Sequence, residues 1–286
     1  MRYAVGVEYD GSAYSGWQSL DGIPSVQTEV ERALSQVAAT PVKVVCAGRT
    51  DAGVHALAQV IHFDTAAVRP GRGWVLGANT HLPPDISLLW AREVPDDFHA
   101  RFSATARRYR YLLFDRRTRS GLWAGRSTWS AHPLDASAMH AAAQCLVGRH
   151  DFSSFRAAEC QATSPVRLME SITVRREGAL VVLEVQANAF LHHMVRNIVG
   201  TLLPVGRGEK PGEWVAEVLA ARDRRVAGIT APPQGLYFAG VRYPAALEVP
   251  PPREWTESAV PALDEDGAAG PVAPSVIMSA AVPPGG

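Results

Sequence analysis

Lysine is nearly missing from this sequence of 286 residues: of its 28 basic side chains only Lys43 and Lys210 are lysines. Cysteine is scarce too. Cys46, Cys145 and Cys160 lie far apart with no CxxC pair, which argues against a disulfide scaffold and against a thiolate zinc site. No apolar run approaches the roughly 20 residues that a membrane-spanning helix needs. The phosphate-binding GxxxxGK[ST] loop and the GxSxG nucleophile elbow are missing as well. Gly206–Gly212 is glycine-rich, yet it follows a helical pattern rather than a strand and misses the dinucleotide spacing. Asp96 and Asp97 read as a turn rather than as paired catalytic carboxylates. Met1–Asp10 alternates and then turns acidic, unlike a signal peptide. What is present is 47% hydrophobic residues, enough to give a cytoplasmic protein one large domain or two modest ones.

Charge balances only in total, at 28 basic against 28 acidic residues. Residues 244–286 hold nine of the 21 prolines, a single basic residue (Arg253) and six acidic ones. That composition predicts a disordered Pro/Ala/Gly-rich tail. The preceding 243 residues carry 27 basic and 22 acidic groups, a net charge of +5. Between Arg101 and Arg126 there are eight arginines and one acid, Asp115. The planar guanidinium can bind two phosphate oxygens at once. Such a run is either a solvated face or, with Tyr109, Tyr111, Phe114 and Trp123 interleaved, a groove that holds phosphates and stacks bases.

Periodicity predicts alternating strands and helices. Tyr3, Val5, Val7 and Tyr9 share one face of a strand, and Val26, Val30, Leu34 and Val37 follow a Ser25 N-cap at helical spacing. Further strands are expected at 41–47, 57–64, 86–94, 107–114 and 236–243, with a hairpin of 171–175 and 180–186 around Glu177-Gly178. Helices are expected at 74–80, 135–147, 189–205 and 213–221. The fold class is α+β: two similar β/α halves, 1–104 and 105–243, suit an antiparallel-rich architecture with a cleft between their sheets.

Two segments stand out chemically. Gly48-Arg49-Thr50-Asp51-Ala52-Gly53-Val54-His55 places an acid, an arginine, a hydroxyl and a histidine on a glycine-bounded loop between β-rich runs. Catalytic groups often sit on loops held by rigid strands, although a polar turn with a capping Asp is the plainer reading. In Asn188–Gly200, helical spacing puts His193, Arg196, Asn197 and Gly200 on one face. The adjacent His192 and His193 would point apart on a helix, which argues against zinc. Arg196, between apolar residues, needs a partner, and Asp51 is available.

Tyr9-Asp10-Gly11 with Gly16-Trp17-Gln18, the run Ala47–Ala56, Ala106–Tyr111, Phe190–Asn197 and Pro232–Leu236 together resemble the tRNA pseudouridine synthase A family. The resemblance runs in order from residue 1 to about 243 and leaves the tail outside it. It implies isomerisation of uridine to pseudouridine in the anticodon stem–loop of tRNA, at tRNA positions 38–40. It also implies the pseudouridine synthase fold, in which two α/β subdomains share a mainly antiparallel central sheet with helices packed on it and the active cleft between them, together with no cofactor or metal and a homodimer spanned by tRNA. By the same resemblance Asp51 is the catalytic aspartate, Tyr109 contacts the target base and Arg196 is the basic partner of the aspartate. Arg49 would help displace the base. The arginine run, rather than the resemblance, offers Arg107, Arg108 and Arg110 as contacts to the substrate backbone. Two other readings stay open: a catalytically silent RNA-binding module on the same platform, and an Asp/His hydrolase using Asp51 and His55.

Overall fold

The computed structural model describes residues 1–251. Most of the tail expected to be disordered, 252–286, lies outside the described residues.

Among the described residues, ten strands build one sheet: β1 (Arg2–Tyr9), β2 (Val45–Cys46), β3 (His55–Asp64), β4 (Ile86–Val94), β5 (Ala106–Asp115), β6 (Thr128–Ser130), β7 (Gly148–Asp151), β8 (Val166–Glu177), β9 (Leu180–Ala187) and β10 (Leu236–Arg242). Five α-helices of the described residues accompany them: α1 (Val26–Ala38), α2 (Gly71–Asn79), α3 (Ala136–Ala143), α4 (Met194–Gly206) and α5 (Trp214–Ala221). The main path runs β4-β1-β3-β10-β5-β9-β8-β7, with β2 added to β3 and β6 to β5. Pairing is antiparallel except between β10 and β3 and between β5 and β6, which makes this an α+β fold with a mostly antiparallel sheet.

Local chemistry accounts for the elements. Ser25 accepts the Thr28 amide at 3.3 Å and starts α1, whose Val26, Val30, Ala33 and Leu34 are buried. Asp135 caps α3 in the same way, accepting from Ala138 at 2.9 Å. The β8–β9 hairpin turns at Gly178, where φ is +59°, a conformation that suits glycine. Several expectations differ at their edges: the helix expected at 74–80 is Gly71–Asn79, and the first hairpin strand runs Val166–Glu177 rather than 171–175. Residues 41–47 pair as a strand only at Val45–Cys46; α3 gives way at Gln144 to a single 3-10 turn; and α4 begins at Met194 rather than near 189.

The last strand joins the two halves. β10 pairs parallel to β3 through Tyr237 and Phe238 and antiparallel to β5 along its length. Two core clusters lie along the sheet. One draws on β1, α1, β3, α2 and β4, together with Phe238 and Val241; the other on β5, α3, β8, β9, α4 and α5, together with Leu236 and Val54. β10 therefore contributes apolar side chains to both. The segment directly after it is also seated: Leu247 and Val249 pack against the first cluster, and Glu248 pairs with Arg92 of β4 at 2.7 Å. The expected tail boundary at Pro244 is thus too early for residues 244–251.

Candidate active site

A cleft of about 1160 Å³ opens where the halves meet, lined by the 48–52 loop, the 101–102 turn, Tyr109 and the 189–196 segment. The loop is pinned from several sides. The amide of Gln59 donates to the Gly48 carbonyl at 2.6 Å, the Trp17 N–H donates to the Thr50 carbonyl at 3.0 Å, and the Tyr9 hydroxyl bonds Thr50 Oγ1 at 2.7 Å. Gly16, with φ +100°, brings the neighbouring backbone close: a Cβ there would lie 2.7 Å from the Thr50 carbonyl oxygen. Asp51 is left part-exposed at the cleft while its backbone is fixed.

Arg196, on the first turn of α4, reaches Asp51 from the other half of the molecule, Nη1 to Oδ2 at 3.3 Å. Its Nε donates to the Ala231 carbonyl at 2.8 Å, and the Ala231 N–H returns a bond to the Arg196 carbonyl at 3.1 Å. The guanidinium is therefore anchored before any substrate arrives. Gly200, one turn further along, makes this possible, because a Cβ there would sit 1.8 Å from the Ile229 carbonyl oxygen.

His192 and His193 do not point apart. They precede α4, and His193 takes a left-handed backbone with φ +59°, which turns both rings toward the cleft. Their centroids are 4.0 Å apart; His192 Nε2 lies 3.4 Å from Asp51 Oδ1 and His193 Nε2 lies 3.2 Å from Oδ2. Burial holds His193 below its ordinary value, Asp51 opposing that shift and His192 and Arg196 adding to it. Asp51, His192 and His193 also offer three possible metal ligands within 4.8 Å of one another. The sequence argument against zinc at the histidine pair assumed a helix and fails on that geometry. A cation there would share Asp51 Oδ2 with the Arg196 guanidinium, which disfavours it electrostatically.

Tyr109 presents its ring to the cleft between Phe190 and Phe238, edge-to-face with both at 4.9 and 5.1 Å. Burial, and then the nearby Asp51 charge, push its phenol above its usual range, so it stays a protonated hydroxyl at neutral pH. Val54, Leu191 and Leu236 supply apolar lining.

The expected arginine contacts separate into two groups. Arg49 is exposed at the cleft, and Arg107 lines it. Arg107 is a brace, donating to the carbonyls of Ala47 at 3.3 Å, Ala104 at 3.2 Å, Asn188 at 3.1 Å and Arg101. Arg108 and Arg110 are displaced from the site, because successive strand residues point to opposite faces: with Tyr109 facing the cleft, its neighbours face away. Arg110 is buried and bonds Glu184 at 2.6 Å. His55 is not in the cleft either. It is buried, with Nδ1 accepting from Gly11 at 3.0 Å, Nε2 at 3.2 Å from the Gln234 carbonyl and its ring stacked on Tyr237. Burial keeps it below its ordinary value despite Asp10 alongside. This removes the Asp51–His55 hydrolase pairing. Sequence reasoning leaves out Arg101, Phe102 and Arg167 as cleft residues; Arg101 lies inside the arginine run, Phe102 and Arg167 carry no local signal, and His192 stands in the 188–200 segment but is turned aside by the helix expected there.

The sequence model of the tRNA pseudouridine synthase family matches residues 6–103 and 142–244. A protein of Xanthomonas euvesicatoria pv. vesicatoria named tRNA pseudouridine synthase A is 59% identical over 252 residues, 87% of this chain and 98% of that protein. One of Pseudomonas aeruginosa with the same name is 57% identical over 250 residues, 87% of this chain and 88% of its own length. With matches covering most of both sequences and spanning the cleft on either side, the chain belongs to the tRNA pseudouridine synthase family.

Proposed function

We propose that the protein isomerises uridine to pseudouridine in the anticodon stem–loop of tRNA, at tRNA positions 38–40, working as a homodimer with Asp51 as its catalytic carboxylate. The observation that carries this reading is the Asp51–Arg196 pair, set in a cleft large enough for an extruded nucleoside and found in a member of this family.

The reaction breaks the C1′–N1 bond, turns the uracil while it is held, joins C5 to C1′ and releases the C5 proton. A carboxylate serves the first step as a nucleophile at the sugar or as a base assisting elimination. Arg196 orients that carboxylate with charge-assisted hydrogen bonding. The Tyr109 ring and the apolar lining keep the detached uracil in place while it turns, and the neutral Tyr109 hydroxyl is a donor to a base oxygen. The target must first leave its stack, at a cost of a few kcal/mol that is least in a loop, and phosphate contacts from cleft arginines offset that cost.

Release of label from C5-tritiated uridine in tRNA, measured with and without a chelator, tests the reading. The isomerase releases label and leaves the RNA intact. A silent binding module releases none, and a metal-dependent hydrolase cuts the RNA until the chelator stops it. Mapping pseudouridine in the product tRNA checks the positions, and sedimentation with and without tRNA checks the dimer.

A further inference from the structure

Phe102 is a large apolar side chain that is 75% exposed, and it lies at the cleft that also contains Asp51. Isolated exposed apolar residues are ordinary on protein surfaces. This one differs because its surroundings hold it still without covering it. The His99 ring packs on it at 4.3 Å with 30° between the planes. His99 Nδ1 accepts the backbone N–H groups of both Arg101 and Phe102, at 3.1 and 3.2 Å. The His99 N–H in turn donates to Ser103 Oγ, and the Ser103 N–H donates back to the His99 carbonyl, both at 2.9 Å. Arg107 ties the Arg101 carbonyl to that of Ala47, where the catalytic loop begins. The ring thus has a fixed place relative to Asp51.

The cations around it say what kind of partner it faces. The Arg101 guanidinium lies 5.5 Å from the Phe102 ring centroid, and Arg49 and Arg167 line the same cleft. A flat apolar face set among guanidinium groups matches a nucleobase on its phosphodiester backbone. When a uridine is extruded, an adjacent base loses its stacking neighbour, and an aromatic ring at the rim can cover the exposed face.

We propose that Phe102 is the stacking platform for the base next to the extruded uridine, with Arg101 on the adjoining phosphate. This rests on the isomerase reading of the cleft and adds a substrate-positioning residue to it.

The test uses the full chain with Phe102→Ala, Phe102→Leu and Phe102→Trp. Tritium release from tRNA gives KM and kcat. Binding is measured in the Asp51→Asn background with a stem–loop RNA carrying 2-aminopurine beside the target uridine. The expected result for Phe102→Ala is a rise of about 10-fold in KM and in Kd, with kcat within about twofold and an unchanged melting temperature. Trp restores tight binding and quenches 2-aminopurine, Leu is intermediate, and Ala leaves the probe bright. An alanine variant with wild-type Kd and wild-type quenching overturns the proposal, as does a loss confined to kcat. Failure of the isomerase reading appears separately, as a wild-type protein that releases no label.

Discussion

Arg196 and Asp51 meet at 3.3 Å although 145 positions separate them in the chain, and Arg196 comes to that meeting already bonded to Ala231 through its Nε. The pair therefore depends on two supports, the pinned 48–53 loop and the backbone segment that ends at Ala231. If Asp51 does the chemistry, Asp51→Asn keeps the shape and the hydrogen-bonding reach but removes the charge. Turnover is expected to fall at least 1000-fold while the Kd for tRNA stays within a few-fold, as measured by tritium release and filter binding. Retained turnover would take Asp51 out of the mechanism.

Gly200→Ala tests the second support without touching either charged group. The added methyl carbon meets the Ile229 carbonyl oxygen at 1.8 Å, and the backbone must move, because the obstacle is not a flexible side chain. Overpacking of this sort costs roughly 1–3 kcal/mol. The displaced stretch carries the carbonyl that holds Arg196, so activity is expected to drop by about tenfold or more. Urea unfolding and tritium release together check this, and a variant normal in both would show that the segment does not position Arg196.

Arg110 and Arg49 separate stability from RNA affinity. Arg110 makes two hydrogen bonds to Glu184 on the face of β5 turned away from the cleft, and charge-assisted bonds contribute about 1.5–3 kcal/mol. Arg110→Ala is expected to lose stability of that order and to leave the salt dependence of tRNA binding unchanged. Arg49→Ala, at the exposed cleft, should leave stability intact and flatten the salt slope by about one ion. A flattened slope in the Arg110 variant would put RNA on the other face.

These cases also show what could be read in advance. The Ser25 cap and the α1 face were legible because helix starts and apolar stripes are local patterns. The position of Asp51 at the cleft agrees with the glycine-bounded loop that the sequence singles out. The orientation of Arg108 and Arg110 is written in the sequence: residues 107–114 read as a strand, and strand alternation sends the neighbours of Tyr109 to the opposite face, which divides the arginine run between two surfaces. The histidine pair was not legible. Apolar periodicity extended the helix back to 189, whereas the left-handed turn at His193, uncommon for a non-glycine residue, arises where the chain must pass from β9 to α4 across the cleft. The parallel pairing of β10 with β3 was hidden for a similar reason, since it joins residues about 180 positions apart and rests on no local signal.

Residues 244–251 lead to a prediction about chain length. Leu247 and Val249 pack on the first core cluster, and Arg92 bonds both the carbonyl and the carboxylate of Glu248, at 2.9 and 2.7 Å. A chain ending at 251 keeps these contacts and one ending at 243 loses them. The shorter chain is expected to melt several degrees lower than the chain ending at 251, in side-by-side thermal scans. Equal melting temperatures would mean that the packing of 244–251 contributes nothing.

His62 supplies the pH dependence. Its ring is buried, and its Nδ1 accepts the Ala100 N–H at 3.1 Å. Burial first, then the neighbouring His99 and Arg2, push it down from 6.5 to about 4. Between those two values the unfolded chain binds a proton that the folded protein does not, so this contribution to stability is complete above pH 6.5 and is lost as the pH falls toward 4. Protonation also removes the acceptor that Ala100 uses, which gives the shift a structural cause. His62→Asn keeps an acceptor near the same place and cannot titrate. Denaturant unfolding at pH 7.5, 6, 5 and 4 should therefore show a shallower acid-side decline for His62→Asn than for the wild type, whatever offset separates them at pH 7.5. Parallel declines would mean that His62 carries the same proton in both states and that the acid sensitivity belongs to other groups.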